Sequence, residues 1–124
     1  MRRTVTVRKS ADGGTIEVRS GDRVLGQVSG LQGEDGGDMT GGFTHRPAYA
    51  DFSVQFLALS RAQSDGRSEE AAAIRVALQA ARVEIWHTAH DMRIDKPGTI
   101  AIGEGRVRFA PNDAFLMMRT GGLG

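Results

Sequence analysis

The chain has 124 residues, with 16 Lys and Arg against 15 Asp and Glu, and it contains no cysteine. That length suits one domain with one core, spanning residues 1–124. The missing thiols exclude a disulfide framework, thiolate metal sites and a Cys nucleophile, and the balanced charge argues against a globally basic nucleic-acid binder. The basic side chains are almost all arginine, with only Lys9 and Lys96 as lysines. No apolar run follows Met1, Arg2 and Arg3, and none approaches the ~20 residues of a membrane span. The expectation is a cytoplasmic product with no membrane partner.

In chain order, Thr4 to Lys9 alternates with Val5 and Val7 on one face. Asp12 to Gly14 turns the chain, Thr15 to Arg19 places Ile16 and Val18 together, and Ser20-Gly21-Asp22 turns it again into Arg23–Val28. Three short strands joined by tight turns read as a meander. Residues Gly30–Phe43 are then rich in glycine, which cannot offset its ordering entropy by packing, so a long flexible loop is expected there. From Ala50 to Leu59, Phe52, Val54, Phe56 and Ala58 alternate with more polar neighbours, the pattern of a strand.

The one expected helix covers 68–81. Ser68 is a plausible N-cap, Glu69 and Glu70 suit the first turn, and Ile74, Ala77, Leu78 and Ala81 form an apolar stripe. The period then returns to two, with Val83, Ile85 and His87 on one face and Glu84 and Trp86 on the other. Lys96-Pro97-Gly98 turns the chain, Thr99–Phe109 reads as a hairpin, and Ala114–Met118 reads as a short strand buried on both faces. Glycines 121, 122 and 124 make a flexible tail at 121–124. The expected fold is α+β, mostly β: an antiparallel sandwich or barrel of about seven to eight strands with one helix.

Few residues suggest chemistry. His87, His90 and Asp91 are the one local group of metal-type ligands, with His45 the third histidine. On a strand, positions 87 and 90 point to opposite faces, so they should diverge and bind no ion. No Gly-x-Ser-x-Gly elbow is present. The glycine-rich loop lacks a Gly-Lys-Ser/Thr ending, and Glu34, Asp35 and Asp38 would repel a phosphate. Neither a catalytic residue, a metal site nor a cofactor is expected. Trp86, lying opposite Val83 and Ile85, is the candidate subunit-interface aromatic.

From Gly26 onward the order of segments resembles that of the tail-tube proteins of long-tailed phages, to which type VI secretion tube subunits are similar. The residues concerned are Gly26-Gln-Val-Ser-Gly-Leu31 leading into a long arm, Ala50–Leu59, the helix Ser68–Ala81 running into Val83–His87, the Thr99–Phe109 hairpin, and Ala114–Gly122. This resemblance implies hexameric rings stacked into a tube, with the long arm contacting the next ring. Gly33, Glu34, Asp35, Asp38 and Phe43 would then join Trp86 as interface residues. The partners implied are copies of the chain and other virion proteins, with DNA only as passing cargo and assembly in the bacterial cytoplasm into a virion. The expected function is thus a structural, self-assembling phage tail or neck subunit, not an enzyme. The alternatives are a small metal-dependent enzyme or binding domain using His87, His90 and Asp91, and a capsid-decorating or head–tail connector protein.

Overall fold

A computed structural model describes residues 15–33 and 37–121; the expected strand at Thr4–Lys9, Glu34 and Asp35, and the last residues of the tail lie outside them. The second and third strands of the expected meander are present as β1 (Ile16–Ser20) and β2 (Arg23–Gly33), and β3 (Met39–His45) forms where a loop was expected. Gly21, at φ 62°, makes the tight turn between β1 and β2. A 3-10 turn, Pro47–Asp51, leads into helices α1 (Ser53–Ser64) and α2 (Ser68–Ala80). The chain then enters β4 (Val83–His87), β5 (Met92–Arg93), β6 (Ala101–Gly103), β7 (Arg106–Phe109) and α3 (Asp113–Gly121).

The fold is α+β and mostly β, as expected, but among the described residues it is one antiparallel sheet of seven strands in the order β5-β4-β1-β2-β3-β7-β6, curled into a half-barrel. The chain beyond β5 and the chain beyond β7 approach one another outside the named strands. Asp95 bridges Pro111; Lys96 N–H donates to the Ala110 carbonyl at 2.8 Å, and Asn112 N–H donates to the Ile94 carbonyl at 2.9 Å. The chain following β5 is thereby stitched to the chain following β7.

Three expectations are corrected. Residues 30–43 are not one loop, because β2 continues to Gly33 and pairs with β3 down to Gly33–Met39, while β3 also pairs with β7. Residues 53–59 are helical, with Phe52 at the N-cap. Phe52, Phe56, Leu59 and Ala62 are buried at helical spacing, whereas Val54 is 74% exposed and Leu57 also faces solvent. Ala114–Met118 belongs to α3, whose start is held by Phe115 N–H donating to Asn112 Oδ1 at 2.8 Å. Among the described residues three helices therefore replace the one expected.

The helix expected at 68–81 forms nearly as drawn, although Arg67 rather than Ser68 stands at its N-cap. Its inward residues are Ala71 and Leu78, with Ile74 and Ala81 half-buried; Ala77 faces outward. The core combines Val18, Leu25 and Val28 from the meander, Phe56 and Leu59 from α1, Ile85 and Ile94, and Val107 and Phe109. Gly26 leaves room for the Phe43 ring. A methyl group there would press on that ring and lie 2.6 Å from the Thr44 carbonyl oxygen. The β6–β7 hairpin turns through Glu104 (φ 53°) and Gly105 (φ 74°), both left-handed, which matches the twist of a two-residue hairpin.

Candidate functional site

The strict alternation along β4 sorts its side chains between the two faces of the sheet. Val83, Ile85 and His87 point to the core, and Glu84 and Trp86 point outward. Trp86 is flanked in register by Glu17 of β1 and Arg93 of β5. Its Nε1–H donates to Glu84 Oε1 at 3.0 Å, and the Arg19 guanidinium stands 5.4 Å from the ring centre, within cation–π range. Arg19 Nε donates to Glu17 Oε1 at 3.0 Å, and Arg93 Nη1 donates to Glu84 Oε2 at 3.4 Å. The tryptophan is thus half-buried under charged neighbours from its own sheet.

Beside this patch, Asp95 is 1% exposed. Its carboxylate accepts the Ile85 N–H at 2.8 Å and two guanidinium bonds from Arg93, each at 3.0 Å. This bidentate contact is the main reason that the Arg93 pKa is raised.

Where β4 ends, the chain doubles back. Thr88 N–H donates to the Thr15 carbonyl at 2.8 Å, Thr88 Oγ1 donates to the same carbonyl at 2.9 Å, and Asp91 adopts φ 48°. An Asp tolerates that left-handed conformation better than most residues. The reversal overturns the expected divergence of His87 and His90, whose ring centres lie 4.8 Å apart with planes at 48°. His87 is 7% exposed, and its Nδ1 has no hydrogen-bond partner among the described residues. Its burial, and secondarily the neighbouring His90, lower its pKa. His45 is elsewhere, its ring 6.1 Å from that of Tyr49. Among the described residues no group of three His, Cys, Asp or Glu side chains converges as a metal site.

An open cavity of about 350 Å³ lies between α1 and the β6–β7 hairpin. Arg106 and Arg108 lie along one side, with Ser60 and Gln63 of α1 across from them. Arg106 Nη2 donates to Thr40 Oγ1 at 3.4 Å, and Arg108 pairs with Asp38 at 3.1 Å.

The residues expected to form an interface therefore scatter. Gly33 pairs with Met39 in the ladder, Asp38 is engaged with Arg108, and Phe43 packs edge-on against Tyr49 with ring centres 5.0 Å apart. Trp86 sits on the outer face of β4, flanked by β1 and β5. The sequence reading passed over another set. Val54 and Leu57 on α1, Val76 on α2, and Leu116 and Met117 on α3 are large apolar side chains facing solvent. They were hidden because Val54 and Leu57 fell in a presumed strand and Met117 in a presumed buried one. Among the described residues no helix is long and apolar enough to cross a membrane. No protein-family model, curated protein or solved structure matches the chain.

Proposed function

We propose that this chain is a structural subunit that assembles with copies of itself, as a component of a phage tail or neck. The observation that supports this reading is the set of uncovered apolar side chains carried by the helices. Val54 is 74% exposed, Val76 64% and Met117 71%, on three different helices. Leaving such side chains in water forgoes roughly 1.5–3 kcal/mol each relative to full burial, so a second protein surface is favoured to cover them. The edges of the sheet offer less. β5 has two residues and β6 three, too short to template strand addition. The partners are then copies of the chain and other virion proteins, with DNA only as cargo, and assembly takes place in the bacterial cytoplasm.

Sedimentation and negative-stain microscopy of the purified chain test the reading. Rings or discrete oligomers are expected, and Val54→Asp with Leu57→Asp should return them to folded monomers. A wild-type chain that stays strictly monomeric at high concentration, without rings or tubes, would overturn it.

A further inference from the structure

We propose that His87, His90 and Met92, brought together where β4 turns back into β5, form a binding site for a soft monovalent metal ion of the Cu(I) type. The site is independent of the assembly reading and uses none of the exposed apolar residues.

The spacing of the two imidazoles is the first argument. Two rings sharing one ion at about 2.0–2.1 Å from nitrogen to metal have centres roughly 5 Å apart when the two bonds meet near a tetrahedral angle, and over 6 Å apart when they are collinear. The observed separation is 4.8 Å. It matches the bent arrangement, which leaves room for a third donor. No described residue occupies the His87 Nδ1, so that nitrogen is open to an ion.

The third donor follows from the strand register. Met92 is the direct antiparallel partner of His87. Directly opposed residues share a face, with Cβ atoms about 4.5–5.5 Å apart, so the flexible thioether arm starts beside the imidazole pair. Met92 is itself half-buried against the core cluster. Hard and soft donors select different ions. A closed zinc site needs four ligands, usually thiolates, imidazoles or carboxylates, and no group of three such side chains converges here among the described residues. Two imidazoles and a thioether suit Cu(I) instead.

The test is anaerobic titration of the full chain with Cu(I) in competition with a chromophoric Cu(I) chelator, read together with X-ray absorption at the copper edge. One equivalent of Cu(I) per chain, in a mixed nitrogen and sulfur environment, is expected. Met92→Leu keeps the side-chain volume and should weaken binding at least tenfold while removing the sulfur signal. His90→Gln, at an exposed position, should weaken it by a similar factor. Metal-free melting curves of both variants should match the wild type, which separates ligation from folding. Zn(II) in the same competition should bind at least tenfold more weakly. Uptake that is absent, or unchanged by Met92→Leu, or equal for Zn(II), overturns the assignment whatever the oligomeric state proves to be.

Discussion

The carboxylate of Asp95 reaches back across ten residues to accept the backbone N–H of Ile85 at 2.8 Å, at a point where β5 has already ended. A side chain here replaces a rung of the ladder. The same carboxylate holds Arg93 in a two-pronged grip, so one buried group serves a strand amide and an arginine together. Asp95→Ala strands the amide and leaves Arg93 without this carboxylate, at a cost of about 2–4 kcal/mol. For a domain of this size that is a fall in Tm of roughly 10 °C or more. A melting curve within a degree or two of wild type would show that the network does little for stability.

Phe56 and Val54 separate the two conformations that the 52–59 segment could adopt. In a strand they would share a face; in α1 the first is 1% exposed and the second faces solvent. Phe56→Ala should cost about 3–5 kcal/mol. Val54→Ala should change stability by no more than about 0.5 kcal/mol. Comparable losses in chemical denaturation would rule out the helix.

The second helix offers a matching contrast. Leu78 is buried and Val76 is exposed, two residues away on the same helix. Leu78→Asp places an unpaired charge in the core, with a penalty of several kcal/mol against a total stability of about 5–15 kcal/mol. Val76→Asp should leave the circular dichroism of the folded chain unchanged and should improve solubility. Loss of structure in both variants would mean that the helix rotates onto a different face.

Gly26→Ala tests the approach of β3 to β2. The added methyl meets the Phe43 ring and the Thr44 carbonyl oxygen, and the backbone oxygen cannot move aside alone. Overpacking of this kind costs about 1–3 kcal/mol. A neutral Gly26→Ala in urea denaturation would imply that β3 shifts freely.

Much of this architecture is written locally. The turn at Gly21, the hairpin at Glu104–Gly105, the helix beginning at Ser68 and the alternation of Val83, Ile85 and His87 can each be read from a handful of residues. The errors arose where two periods coexist. Phe52, Phe56 and Leu59 satisfy the helical spacing, while Phe52, Val54, Phe56 and Ala58 also satisfy the strand spacing. Only the continuation of the helical series through Ala62 distinguishes them. Asn112 and Asp113, a cap and a first-turn acid, mark the start of α3, yet the apolar run behind them reads equally well as strand. Glycine misled for another reason. A methyl group on Gly41 would lie 2.8 Å from the Ser29 carbonyl oxygen, so that glycine serves close strand approach rather than freedom. The histidine pair depends on the turn closed by Asp91 N–H donating to the Thr88 carbonyl at 3.2 Å, which no spacing rule along β4 anticipates.

The stitch between the extensions of β5 and β7 governs how the domain breathes. Its backbone cross-links are the two amide bonds of Lys96 and Asn112, and the Asn112 side-chain amide adds a bond to the Arg93 carbonyl at 2.9 Å and a longer one to the Asp95 carbonyl at 3.5 Å. Pro111, which has no N–H, cannot add another. The β1–β2–β3 amides sit in the middle of a continuous ladder, so their exchange with deuterium requires the whole sheet to open. Lys96 and Asn112 can exchange through a local parting of the seam. In native-state exchange these two amides should therefore form an early pair that loses protection together, well ahead of Val18 and Val28.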